Sequence, residues 1–515
     1  QQLRTEVAAE WFEAEFGRPP SGSRELHGFI ARSTAKPRVA VAGYDLTFSP
    51  VKSVSALWAL ADRGLASEIR GAHDAAVRDA LAFIGHRVLF TRRGHDGIRQ
   101  VDTRGLIAAL FVHRDSRAGD PDLHTHVAIA NKVQALDGRW LAIDGRILYA
   151  ARVAASEVYT TSLRARLSEL GLGFEAVGRD GKRPVYEVVG VDPRLLGRWS
   201  TRRDAIERQS ATLASDFEAS HGRTPTPAER IQLDQQATLE TRLAKHEPRS
   251  EAEQRRAWRA EAEAVMGRRG LTAMLRDVVQ PALPGLGVEP DDTWLNATAS
   301  GVIATMESQQ ATWQEWHVRA EALRQVRAAG VPLGGVDAAV DALVDRALEP
   351  ERSVRIGCRR QLPEEPEVLR RRDGSSMYHV AGSTRFTSRR ILDAEARLIA
   401  SASLVGGRVA DANSVGMALL QSLANGAALN AGQRALVQEL ATSGRRVQVA
   451  IAPAGTGKTT AMSCLAAAWT NAGGDVLGLA PSASAAEQLG RQLDGRPDSA
   501  GADTLAKLAW EIDAE

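Results

Sequence analysis

The segment FVHRDSRAGDPDLHTHVAIAN, residues 111–131, constrains this chain more than any other. His124 and His126 stand two apart in a strand-favouring run, so the period of two places both on one face. The preceding run, RGLIAALFVHRD (104–115), ends near His113, and the Gly and Pro between the runs mark a chain reversal. Antiparallel pairing about that turn sets His113 opposite His124 and Phe111 opposite His126, and opposite residues share a face. Three imidazoles then converge with no fourth protein ligand nearby, which is the open shell of a catalytic metal site rather than a closed structural one. Nitrogen donors suit Zn, Mn, Ni or Co better than Mg. The competing reading is a group of strand histidines satisfied by hydrogen bonds; a His-x-His with a register-matched third His favours the metal.

A second strand pattern bears on the same chemistry. In GYDLTFSPVKSVS (43–55), Asp45 interrupts an apolar alternation, and a carboxylate there is costly unless paired. It can orient a metal-binding imidazole through the second ring nitrogen, or take a proton from a nucleophile. A carboxylate at a sheet edge facing water is the plainer alternative. Ser49, Lys52 and Ser53 open the following helix, where N–H groups and a cation can hold a phosphate; an ordinary helix start explains them almost as well.

Near the other end, RRVQVAIAPAGTGKTTAMSCLAAAW (445–469) reads as strand, Gly-rich loop and helix, with Ala452 where the first Gly of G-x-x-x-x-G-K-[ST] is commonest. Gly455 and Gly457 let the backbone aim N–H groups at phosphate oxygens around Thr456, Lys458 reaches the β- and γ-phosphates, and the Thr459 hydroxyl, followed by Thr460, ligates Mg²⁺. ATP with Mg is the expected ligand. Upstream, the Gln433 amide has both the donor and the acceptor needed to read an adenine edge, although a surface glutamine is the simpler reading. Downstream, 473–493 repeats strand, loop and helix, and 502–512 begins a further element.

Composition adds limits. Lys+Arg 65 against Asp+Glu 63 gives a formal charge of +2, so no global field marks a polyanionic partner. Cys358 and Cys464 are the only cysteines, which excludes a disulfide scaffold and a Cys-based zinc site. No apolar run approaches the length of a membrane span, and a cytoplasmic protein without membrane insertion is expected. With Gln1 first and no methionine before Met266, the chain is expected to start inside a longer protein. Strands and helices alternate over the first 200 residues. From there to 350 the sequence is helix-favouring, AERIQLDQQATLETRLAKHEPRSEAEQRRAWRAEAEAVM (228–266) throughout. A Pro- and Arg-rich stretch reads as a linker.

In these segments and their order, the chain resembles the MobF class of conjugative relaxases. The resemblance rests on GYDLTFSPVKSVS, HRDSRAGDPDLHTHVAIAN, RWLAIDGRILYAARVAASEVYTTSLRARLSELGLGFE, WSTRRDAIE, LNAGQRALVQEL and APAGTGKTT. It implies an α/β (α+β) fold: an antiparallel-sheet relaxase domain over 1–210, a helical region over 211–350, a linker over 351–380, and the start of a RecA-like superfamily 1 helicase over 381–515. It implies a single-strand endonuclease that nicks a plasmid transfer origin by tyrosine transesterification, and a motor that unwinds the strand with ATP. His113, His124 and His126 would hold a divalent ion (Zn, Mn or Mg), Asp45 would orient a histidine or activate the tyrosine, and Gln433 would read adenine. Single-stranded DNA is the implied partner, with accessory relaxosome and coupling proteins beside it. Lys52, Arg114, Arg117 and Arg202 are candidate DNA contacts, with solvated surface positions as the alternative.

One departure stands out. The nucleophilic tyrosines of such enzymes precede the aspartate strand, and no tyrosine precedes Tyr44 here. The expectation is therefore a fragment that binds metal and single-stranded DNA without the group that cuts, and without a complete helicase. The alternative is an ATP-dependent helicase or recombination motor whose N-terminal half is a non-catalytic adaptor.

Overall fold

The computed structural model describes residues 2–22, 25–26, 28–30, 40–179, 182–244, 247–279, 287–357, 365–453, 456–494 and 501–514. After α1 (Gln2–Phe16), the first strand, β1 (Gly43–Phe48), leads into α2 (Lys52–Leu60) and α3 (Arg63–Phe83). Asp62 separates these helices by capping α3, its carboxylate accepting from the Leu65 N–H. A hairpin of β2 (Phe90–Arg93) and β3 (Arg99–Asp102) follows, then β4 (Ala108–Asp115) and β5 (Pro121–Ala130).

The central sheet is antiparallel, in the order β1-β5-β4. β5 alternates strictly: Leu123, Thr125, Val127 and Ile129 are buried, while His124, His126 and Ala128 face outward. Its inner face packs on α2, α3 and, after β6 (Val133–Gln134), β7 (Trp140–Leu141) and α4 (Gly145–Ala150), on α5 (Arg152–Glu169). Fully burying each of Leu123, Val127 and Ile129 contributes about 1.5–3 kcal/mol, so a one-residue slip that turned them outward is strongly disfavoured.

The hairpin β8 (Phe174–Arg179) and β9 (Lys182–Val188) and the short α6 (Pro193–Arg198) precede three longer helices, α7 (Thr201–His221), α8 (Pro227–Glu240) and α9 (Glu251–Asp277). The helix-favouring stretch 228–266 is thus two helices, not one. Pro248 cannot continue a helix, and Ser250 with Glu253 forms a capping box that starts the next. The sheet's core continues beyond residue 210: Trp258, Ala262, Leu271 and Met274 of α9 are buried in it. A second core joins α10 (Asp292–Gln309), α11 (Glu315–Ala328) and α12 (Leu333–Ala347).

The segment 365–388, part of which reads as linker, is tied down closely. The guanidinium of Arg371, 1% exposed, donates to Gln100 Oε1, to the His379 carbonyl and to Ser375 Oγ, and lies over the Phe90 ring. Cys358 lies outside the described residues.

Short strands β10 (Val354–Ile356) and β11 (Arg385–Thr387) pair antiparallel before α13 (Arg389–Ala402), α14 (Ala412–Ala424) and α15 (Ala431–Thr442). The last elements are α16 (Lys458–Asn471), β12 (Gly478–Ala480), α17 (Ala483–Asp494), β13 (Ala502–Thr504) and α18 (Leu505–Ala514). β12 and β13 pair in parallel. One strand expected from the sequence does not form: 447–453 is irregular and unpaired, with Val449 80% and Ile451 95% exposed. A strand needs neighbours to complete its hydrogen bonds, and among the described residues neither β12 nor β13 reaches it.

Candidate metal centre

The pairing of β4 with β5 has the register derived above: His113 faces His124 and Phe111 faces His126. The three imidazoles meet on the outward face, with ring centroids 5.0 Å apart for His113–His124 and His113–His126 and 5.3 Å for His124–His126. One ring nitrogen from each lies within 4.8 Å of the others.

Hydrogen bonds assign the tautomers of two rings. His124 Nδ1 lies 2.7 Å from the Asp122 carbonyl, and His126 Nδ1 lies 3.1 and 3.0 Å from the two oxygens of Asp45. A carbonyl and a carboxylate can only accept, so each Nδ1 donates and Nε2 is the ring nitrogen left to face a metal. Thr47 Oγ1 stands 3.2 Å from the same His126 nitrogen. β1 thus supplies two groups to one ring because Asp45 and Thr47 are two residues apart on one face, and Thr47 pairs directly with His126. The sequence signal for Thr47 is that same period of two; Asp122, two residues before His124, shares it, and its carboxylate also stands 3.5 Å from His124 Nδ1.

Behind the ligands, on the buried side of β5, His73 from α3 is fully enclosed. Its Nε2 is 2.8 Å from Thr125 Oγ1 and its Nδ1 2.8 Å from the Tyr159 hydroxyl. Burial pulls the His73 pKa down to about 4 and pushes the Tyr159 phenol well above its ordinary value. Thr125 is the residue between the two β5 histidines, so this pair of bonds fixes the strand from its inner face.

The turn that joins the histidine strands is braced by the helical region. The indole of Trp258 donates to the Gly119 carbonyl at 2.8 Å, Gln254 donates to Asp115 at 2.7 Å, and Thr201 donates to Asp120 at 3.0 Å. Gly119 takes φ 86°, a conformation that L side chains rarely adopt, so the turn favours glycine.

Three of the four candidate DNA contacts also bond within the protein. The Lys52 amine donates to the Pro121 carbonyl at 2.8 Å, and burial lowers its pKa. Arg114 donates to the Arg249 carbonyl and approaches Glu251 at 3.5 Å, while Arg117 donates to the Leu243 carbonyl. Arg202 is half-buried in the first turn of α7.

Neither histidine-bearing strand carries a tyrosine. Tyr44 lies on the other face of β1 from Asp45 and packs into the core, Tyr159 is buried, and Tyr186 stacks under Arg164. Tyr149 lies under Arg152 with 68% of its surface exposed, and Tyr378 is on the 365–388 segment.

In the C-terminal part, Gly457 takes φ 75° and caps α16, placing Lys458, Thr459 and Thr460 in its first turn. Lys458 Nζ folds back onto the Ala452 and Pro453 carbonyls at 2.8 and 3.2 Å. Gln433 donates to the Thr456 carbonyl at 2.9 Å and accepts from the Asn430 N–H, so its amide is engaged with the loop and a helix cap. Gly455 lies outside the described residues.

Comparison with known proteins adds independent findings. The model of the TrwC relaxase family matches residues 2–265, and that of an AAA domain matches 428–514. The multifunctional conjugation protein TraI of Escherichia coli is 34% identical over 188 residues, which is 34% of this chain and 10% of TraI. The chain thus spans about a tenth of the length of that relative. A metal-bound structure of the conjugative relaxase TrwC with oriT DNA is 29% identical, covering 45% of this chain and 75% of that one at a TM-score of 0.37. TrwC with a 27-mer DNA comprising the recognition hairpin and the cleavage site is 27% identical, covering 51% and 95% at a TM-score of 0.36. Among the described residues, no helix is long and apolar enough to cross a membrane.

Proposed function

This chain belongs to the TrwC relaxase family, whose model spans residues 2–265 of its 515, and from that premise we propose that it binds a single DNA strand at a transfer origin through a divalent ion held by His113, His124 and His126. The observation that carries this reading is the pair of tautomers. Asp45 and the Asp122 carbonyl hold the Nδ1 protons, which leaves His126 and His124 each an Nε2 to offer a metal beside His113. Such a donor set fits a divalent cation with open positions.

The bound ion would supply charge stabilisation to a phosphate oxygen. The chain's own residues do the rest. Asp45 fixes the ring plane of His126 and balances positive charge at the site. His73 and Thr125 hold β5 from behind, and Trp258 and Gln254 hold the turn, so the ligands stay converged before DNA arrives. We place the relaxase unit over residues 40–279, because one core runs from β1 to α9.

Strand cleavage by the whole protein is part of the same proposal, with a tyrosine as nucleophile. None of the five tyrosines in this sequence takes that role: Tyr159 is kept protonated by burial, and Tyr44 points into the core on the face away from Asp45. The C-terminal region is proposed to bind ATP through Lys458 and Thr459, with Gln433 reporting the state of the loop it touches, and to belong to the motor that unwinds the transferred strand.

Metal analysis and oligonucleotide binding test the reading. The wild type is expected to hold one divalent ion per chain and to bind single-stranded origin DNA in a chelator-sensitive way. The His124→Ala/His126→Ala protein is expected to lose both. Equal DNA binding by the two proteins would favour a motor with a non-catalytic adaptor, and a covalent adduct between this chain and origin DNA would overturn the assignment of its tyrosines.

A further inference from the structure

The outward face of the sheet carries one large apolar side chain that its own fold leaves open. Phe111 is 54% exposed and shares the face of the three histidines, directly opposite His126 and two residues before His113. Its other neighbours on that face are Ala109 and Ala128, both exposed and too short to cover a phenyl ring. Cross-strand partners have Cβ atoms about 4.5–5.5 Å apart, and two residues of strand span about 7 Å. The ring therefore stands beside the ligand cluster, at the distance at which a base hangs from a phosphate held there.

We propose that Phe111 is a stacking platform for the unpaired base adjoining the metal-bound phosphate. This rests on the single-strand reading above and adds what that reading lacks, a reason for preferring unpaired nucleotides to duplex. In a duplex, each base face is covered by its neighbours; a base that is free to turn outward can lie on an aromatic ring instead. A stacking platform is tolerant of base identity, since every base has a π face. The cation site and the ring then divide the work: the histidine cluster grips the backbone and Phe111 requires a base beside it. The two exposed alanines leave the approach to the ring open along the sheet.

The test uses the full chain loaded with metal and two probes, a single-stranded oligo(dT) and the same backbone with abasic sugars throughout. Phe111→Ala is expected to weaken oligo(dT) binding by about 5- to 150-fold, the range that loss of one base–aromatic stack gives. Phe111→Trp is expected to restore binding, and Phe111→Leu, which keeps apolar bulk without the ring, is not. On the abasic strand all four proteins are expected to bind alike, with unchanged metal content. Equal oligo(dT) binding by wild type and Phe111→Ala, restoration by Phe111→Leu, or the same loss on both probes would overturn the platform. A wild type that ignores oligo(dT) even with metal would instead overturn the single-strand reading itself.

Discussion

Acid should loosen the metal-site scaffold through His73, a residue that touches no ligand. Its ring is fully buried between Thr125 and Tyr159, and desolvation lowers its pKa from the ordinary 6.5 to about 4. Between these values the unfolded chain binds a proton that the folded chain refuses, so stability falls as pH falls through that window. The fall from 6.5 to about 4 corresponds to about 3 kcal/mol once pH is below both values, and about 2 kcal/mol of it is already lost near pH 5. Neutral pH keeps the full contribution. Native-state hydrogen exchange of α3 and β5 amides, corrected for the intrinsic pH dependence of exchange, reads this as a drop in opening free energy between about pH 7.5 and about pH 5. Carboxylates elsewhere also respond to acid, so the control is His73→Gln, which can still hydrogen-bond but does not titrate. Its protection at pH 7.5 is expected to be lower than wild type, and its decline towards pH 5 shallower by about 2 kcal/mol. If wild type and variant decline in parallel, His73 is not the group that titrates and the argument fails.

Other outcomes follow from single contacts. Asp45→Asn keeps an acceptor for His126 but removes the charge, and metal affinity measured by competition with a chelator should fall by about 10- to 100-fold. Lys458→Ala should abolish binding of a fluorescent ATP analogue while leaving metal content and oligonucleotide affinity at wild-type values, since the two sites share no residue. Arg371→Ala removes the guanidinium that ties the 365–388 segment to Gln100 and Phe90; limited proteolysis should then cut within that segment, where wild type resists. Leu271→Ala, in the core beneath the sheet, should cost about 2–5 kcal/mol, read as an earlier thermal transition of the relaxase part.

The sequence by itself determined the elements and their register around the histidines. Alternation fixed which residues of β5 face out, and the Gly-Pro turn fixed what lies opposite them, because a period of two leaves no freedom once one face is buried. The P-loop helix was equally legible, since its pattern is local. Tertiary structure decided everything that depends on distant chain segments meeting. His73 lies 52 residues before the threonine it holds, and Trp258 and Gln254 clamp a turn 139 residues away. Arg114 and Arg117 read as surface side chains, and the fold lets each give one guanidinium nitrogen to a backbone carbonyl of the helical region. The run 447–453 has the composition of a buried strand and still stays unpaired, because a strand is completed by its neighbours and not by its own residues.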